Sequence, residues 1–82
     1  MEEYTLINKA KNRIKVFRPF EDVTKQSTNI DAMEISYGCV YKRLIKPVMK
    51  GSRVESIHNA RKEYIELLKE GWEKTSIYKG YI

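Results

Sequence analysis

The chain has 82 residues, 41% of them hydrophobic and 33% charged, and its net charge at pH 7 is +5. A chain of this length supports one hydrophobic core and excludes two, while its apolar content is too high for a disordered protein. No apolar run exceeds three residues, which excludes a membrane-spanning helix, and a single cysteine fits a reducing compartment. We therefore expect a folded cytoplasmic protein.

The positive charge is concentrated in one part of the sequence. Residues 1–20 carry a net charge of +3 and residues 21–36 a net charge of −3, whereas residues 54–82 balance at zero. The remaining stretch, residues 37–53, holds five cations and no acid. A cationic surface of this kind attracts acidic proteins and nucleic acids.

The first twenty residues predict a β-hairpin. Residues 3–8 are rich in β-branched and aromatic side chains, which favours a strand. In residues 13–18, Ile14 and Val16 alternate with cationic side chains, as in a half-buried strand. Pro19 lacks an amide hydrogen, so we expect the hairpin to end near it.

The middle of the chain predicts a loop and a third strand. Residues 21–32 have no hydrophobic period and are rich in turn formers. Residues 33–37 alternate apolar and polar side chains, which is typical of a strand, and Gly38 then predicts a bulge or a tight turn. Residues 40–45 are interpreted as either the same strand after a bend or a fourth strand.

A cationic connection and a helix follow Pro47, which is expected to end the extended run. The helix is predicted over about residues 56–70, and either Ser56 or Ser52 fits the N-cap. Its apolar stripe has the three-and-four spacing of a buried face. The stripe consists of Ile57, Ala60, Tyr64, Leu67 and Leu68, widened by Ile65.

The end of the helix is predicted from Gly71 and Trp72. Glycine readily adopts the left-handed conformation that terminates a helix, and in a Schellman motif Trp72 would fold back against Leu67. We therefore expect Trp72 to be largely shielded. Residues 73–82 either pair as an edge strand, lie against the core or fray.

Together these elements predict one α+β domain over residues 1–82. Three to four antiparallel strands form a small sheet, and a single C-terminal helix covers one of its faces.

The second half of the chain combines the approach PVMKGSR (residues 47–53), Ala60 and Tyr64 within a capped helix, and the ending LKEGW (residues 68–72). In these features it resembles a family of small uncharacterised domains from marine cyanobacteria. The resemblance implies opening strands and a closing helix that ends in Gly-Trp, and it implies no particular activity.

The residue types that carry catalysis are sparse in this sequence. His58 is the only histidine and Cys39 the only cysteine, and nothing in the sequence orients them as a pair. A structural zinc site needs four cysteine or histidine ligands, and the four glycines are too dispersed for a phosphate-binding loop. We expect no enzymatic activity, no metal and no cofactor.

The candidate binding surface is a basic, tyrosine-containing sheet edge and loop. Its residues are Tyr41, Lys42, Arg43, Lys46, Lys50 and Arg53. A secondary set is expected to share a sheet face with them, namely Lys11, Arg13, Lys15 and Arg18. We favour an accessory module that binds an acidic protein partner, because tyrosine and arginine are common interface anchors.

Two alternatives remain open at this stage. Low-specificity binding of nucleic acid would use the same basic strip, and homo-oligomerisation would use an exposed strand edge. A membrane partner is not expected.

Overall fold

The structure of the protein is a computed structural model, which describes residues 3–20, 32–76 and 78. The elements in chain order are β1 (Tyr4–Ile7), β2 (Arg13–Phe20), β3 (Ala32–Cys39), β4 (Val48–Ser56), α1 (Ile57–Lys69) and β5 (Glu73–Lys74). The strands form one antiparallel sheet in the order β4-β3-β2-β1-β5. The α+β class is confirmed, whereas the sheet has five strands within the described residues and not the three to four expected.

Strand β2 continues past the point at which the sequence predicts its end. Pro19 lies opposite Met33 and Phe20 lies opposite Ala32, so Pro19 does not stop the ladder. On the side of β2 that faces β1, no strand pairing is described beyond Phe17. Proline is tolerated at this position because no described neighbouring strand needs its missing amide hydrogen.

The fourth strand lies later in the sequence than predicted. Residues 40–47 form the connection between β3 and β4, and the stretch interpreted as a cationic connection is most of β4. Strand β4 is the edge of the sheet, and its residues alternate between exposed and half-buried. The strand is therefore hard to recognise, because no buried side chain marks its period.

The main core lies between the sheet and α1. Its buried members come from three strands and the helix, and half-buried aromatic side chains pack around them. The ring centroids of Phe17 and Tyr64 are 5.7 Å apart in an edge-to-face arrangement, which is a favoured aromatic geometry. The buried members are Leu6, Phe17, Met33, Ile35, Ala60 and Leu67.

The opposite face of the sheet also carries buried apolar side chains. Ile7, Ile14 and Val16 are nearly or completely shielded from solvent, and strand alternation places them on the face away from α1. From the sequence we expect one apolar face of the sheet, whereas both faces carry buried apolar side chains. On α1 itself, Ile65 and Leu68 remain about half exposed, so the buried stripe is narrower than predicted.

Helix α1 begins directly after β4, without a loop. Ser56 is the N-cap, and its Oγ accepts a hydrogen bond from the Asn59 amide at 3.1 Å. Ser52, the alternative cap, lies within β4 opposite Ser36. The strand-to-helix transition is therefore fixed at one residue by a side-chain hydrogen bond.

We expect Ser56→Ala to lower the free energy of unfolding by about 1 kcal/mol, because the Asn59 amide loses its acceptor. Ser52→Ala is the matched control, since Ser52 is exposed and caps nothing; its effect should stay within about 0.5 kcal/mol. Urea unfolding followed by circular dichroism measures both variants. Equal losses in the two variants would contradict this assignment.

Helix α1 ends in a Schellman motif, as the sequence predicts. Gly71 has φ +97°, its amide donates to Leu68 O at 3.1 Å, and the Trp72 amide donates to Leu67 O at 3.0 Å. Trp72 packs against the core cluster that contains Leu67. Its side chain is half-buried, and thus less shielded than expected.

Gly71→Val should destabilise the protein by about 1–2 kcal/mol, the usual cost of the left-handed conformation for a residue with a Cβ. Space is not the cause, because an added Cβ would meet the Lys9 side chain at an ordinary 3.6 Å. Gly71→Asn should lose less stability, since asparagine tolerates the left-handed conformation. Thermal unfolding tests the expected order of stability, in which the wild type is the most stable and Gly71→Val the least. A Gly71→Val variant as stable as Gly71→Asn would refute this order.

The segment after α1 returns to the sheet. Strand β5 pairs with Leu6 and Ile7 of β1, and the Thr75 amide donates to Thr5 O at 2.9 Å. An edge strand is one of the three arrangements that the sequence predicts for this segment. Most of the predicted loop over residues 21–32 lies outside the described residues, as do residues 77 and 79–82; within that loop Ala32 begins β3.

Candidate functional site: a basic end of the sheet

Two connections lie side by side at one end of the sheet. The Val40 amide donates to Asn12 O at 2.9 Å, which ties the β3–β4 loop (residues 40–47) to the β1–β2 turn (residues 8–12). Within the turn, Asn8 Oδ1 accepts from the amides of Asn12 and Arg13, each at 2.9 Å. Because α1 also ends here, three segments of the chain meet at this end.

The β3–β4 loop carries exposed apolar side chains among its cations. A turn is closed by the Leu44 amide, which donates to Tyr41 O at 3.0 Å. Ile45 is 79% exposed, Leu44 48% and Tyr41 42%, whereas Pro47 is buried. The loop is therefore anchored at Pro47 and presents Leu44 and Ile45 to solvent; we call these two residues the apolar tip.

Ion pairs divide the predicted cations into two groups. Lys15 lies 3.8 Å from Glu63, and Arg53 contacts the same carboxylate and also Glu55, the latter at 3.3 Å. Arg18 lies on the other face of the sheet, where Glu3 is 2.8 Å from it. Lys15, Arg18 and Arg53 are therefore largely neutralised inside the protein.

The second group is exposed and makes no ion pair within the described residues. Its members all lie at the end of the sheet that holds the β1–β2 turn and the β3–β4 loop. They are Lys11, Arg13, Lys42, Arg43, Lys46 and Lys50. Together with Tyr41 and the apolar tip, they form what we call the basic end.

The sequence therefore predicts the components of the basic end better than their arrangement. The four secondary residues do not share one face: Lys11 is in a turn with φ 59°, Arg13 and Lys15 lie on the helix side, and Arg18 lies opposite. The apolar tip is missed because Leu44 and Ile45 are interpreted as part of a strand. The Pro47 that follows them is the one local signal of a loop.

The structure gives no support to a thiol–imidazole pair. Cys39 is half-buried at the basic end, whereas His58 is exposed in the first turn of α1, at the opposite end of the sheet. Among the described residues no cluster of three metal-binding side chains occurs. Within that same part of the chain, no helix is long and apolar enough to cross a membrane.

Comparisons with family models, with curated proteins and with solved structures return no match to this chain. The resemblance to the marine cyanobacterial domains therefore stays a prediction.

Glu63 is the carboxylate that forms ion pairs with both Lys15 and Arg53, and its side chain is 24% exposed. We expect Glu63→Gln to lower the free energy of unfolding by about 0.5–1 kcal/mol at low salt, and by less at high salt, because partly exposed ion pairs are weak and screened. Glu66→Gln is the control, since Glu66 is exposed on the same helix and makes no ion pair within the described residues. Urea unfolding at two salt concentrations measures both; a salt-independent loss for Glu63→Gln would contradict the electrostatic origin.

Proposed function

We propose that the protein is a non-enzymatic accessory module that binds an acidic protein partner through its basic end. The observation that carries this proposal is the apolar tip: Leu44 and Ile45 are exposed and lie between Lys42, Arg43 and Lys46. Protein interfaces commonly have an apolar centre and a polar rim. The β3–β4 loop at the basic end has that composition.

The apolar and the cationic side chains of the basic end contribute differently to binding. Full burial of an aliphatic side chain contributes about 1.5–3 kcal/mol, so the apolar tip supplies affinity when a partner covers it. Exposed cations mainly accelerate association with an acidic surface and exclude basic ones. Tyr41, beside the tip, has the size and polarity of a typical interface anchor.

Low-specificity nucleic-acid binding is the second candidate. Six exposed cations that make no ion pair within the described residues, together with an exposed tyrosine, favour it, since phosphates bind cations and bases stack on aromatic rings. Aliphatic side chains contribute little to phosphate contacts. The apolar tip therefore distinguishes the two candidates.

The test compares two variants of the β3–β4 loop in pull-downs from lysate of the native source, with and without nuclease. Replacing Leu44 and Ile45 with serine should reduce retention of a nuclease-resistant, stoichiometric protein at least about tenfold. The same variant should keep its affinity for heparin, because its charge is unchanged. Reversing Lys42, Arg43 and Lys46 to glutamate should weaken both interactions.

A matched charge control is the reversal of Arg61, Lys62 and Lys69 on the exposed side of α1, which changes net charge equally and should leave the partner bound. Thermal unfolding confirms that each variant is folded. The contrary result is that the serine variant and the wild type retain the same material and that only nuclease removes this material. In that case the protein-partner proposal fails and nucleic-acid binding replaces it.

A further inference from the structure

An open groove lies between the C-terminal half of α1 and the helix-side face of β2, β3 and β4. Its volume is about 430 Å³, within the range of small-molecule sites. Leu67, Glu70 and Trp72 line it from the helix end. The strand side chains that line it are Arg13, Lys15, Tyr37, Cys39, Lys50 and Arg53.

The ring of Tyr37 lies across the neighbouring strand. Gly51 is opposite Tyr37 in the ladder, and a Cβ at Gly51 would be 2.7 Å from Tyr37 Oη and 3.0 Å from Cζ. The ring therefore occupies the space that a side chain at residue 51 would need. Tyr37 is nevertheless 42% exposed, so part of its surface is open to a ligand.

A β-bulge places Lys50 in the groove. The register shifts between Tyr37 and Gly38, so that Gly51 is opposite Tyr37, Met49 is opposite Gly38 and Lys50 is the extra residue. In a regular strand Lys50 would point away from the side occupied by Gly51. Bulges redirect side chains in this way and often lie next to binding sites.

The charge of the groove is mainly positive, with four cations against Glu70. Lys15 and Arg53 share Glu63, and the Lys15 ammonium lies 5.8 Å from the centroid of the Trp72 ring. Arg13 and Lys50 make no ion pair within the described residues. The groove therefore combines two available cations with two aromatic side chains.

We propose that this groove binds a nucleotide, with the planar base against Tyr37 and the phosphate between Arg13 and Lys50. Aromatic rings stack on any base, and a guanidinium donates paired hydrogen bonds to phosphate. The nucleotide is either free or the terminal nucleotide of a single strand. This site is distinct from the apolar tip, and it does not depend on the accessory function proposed above.

Trp72 is the only tryptophan and lines the groove, so its fluorescence reports binding to the full chain. Titration with adenosine monophosphate should give a saturable change, and equilibrium dialysis should give the same dissociation constant. Adenosine and inorganic phosphate should each bind at least about tenfold more weakly. No binding by either method at millimolar nucleotide, or phosphate binding as tight as the nucleotide, would overturn the proposal.

Variants test the residues named. Tyr37→Ala should weaken nucleotide binding at least about fivefold through lost stacking, whereas Tyr37→Phe should retain it. Gly51→Ala, which displaces the ring, and Lys50→Ala should also weaken binding. The control is Lys62→Ala, which removes one exposed cation from α1 outside the groove and should change nucleotide affinity less than twofold; a loss equal to that of Lys50→Ala would show general charge attraction and refute the site.

The two sources of the ligand are distinguished by a second titration, with a 5′-phosphorylated oligonucleotide of six residues. A dissociation constant within about threefold of that of adenosine monophosphate indicates a free nucleotide. Binding at least tenfold tighter indicates the end of a single strand. Both results retain the groove as the nucleotide site, provided that Tyr37→Ala weakens the binding.

Discussion

Gly38 allows the backbones of β3 and β4 to approach closely at the basic end. A Cβ on this residue would lie 2.5 Å from Val48 O and 2.9 Å from Met49 Cα, distances that no side chain tolerates. The register shift occurs at the same place. This one contact fixes where β4 begins, and it thereby determines which residues remain in the β3–β4 loop and which strand residue is turned into the groove.

Acidic side chains of the protein determine which of its cations remain available to bind another molecule. Glu63 lies on α1 and contacts cations from β2 and β4, so it joins the helix to two strands while it neutralises them. On the face of the sheet away from α1, Glu3 and Glu34 form ion pairs with Arg18 and neutralise it. Within the described residues no acid forms such an ion pair with a cation of the basic end. The net positive charge of the chain therefore lies mainly at one end of the sheet.

Elements whose sequence signals are local are predictable from the sequence. The Ser56 cap and the Gly71 termination need no knowledge of the rest of the fold, and both are found in the structure. Strand β4 is not predictable in this way, because a strand at the sheet edge has no buried side chains to mark its period. Leu44 and Ile45, in contrast, resemble strand residues although they lie in a loop. The groove depends on the register of three strands, which no local pattern specifies.

The edge position of β4 has a consequence for the behaviour of the protein at high concentration. In the described part of the chain β4 pairs only with β3, so a nine-residue strand presents a row of backbone donors and acceptors on its outer side. Such edges recruit strands from other molecules unless charge or a bulge prevents it. Lys50 supplies both, because it is the bulged residue and an exposed cation, so the side chain that lines the groove also counters edge-to-edge pairing of β4.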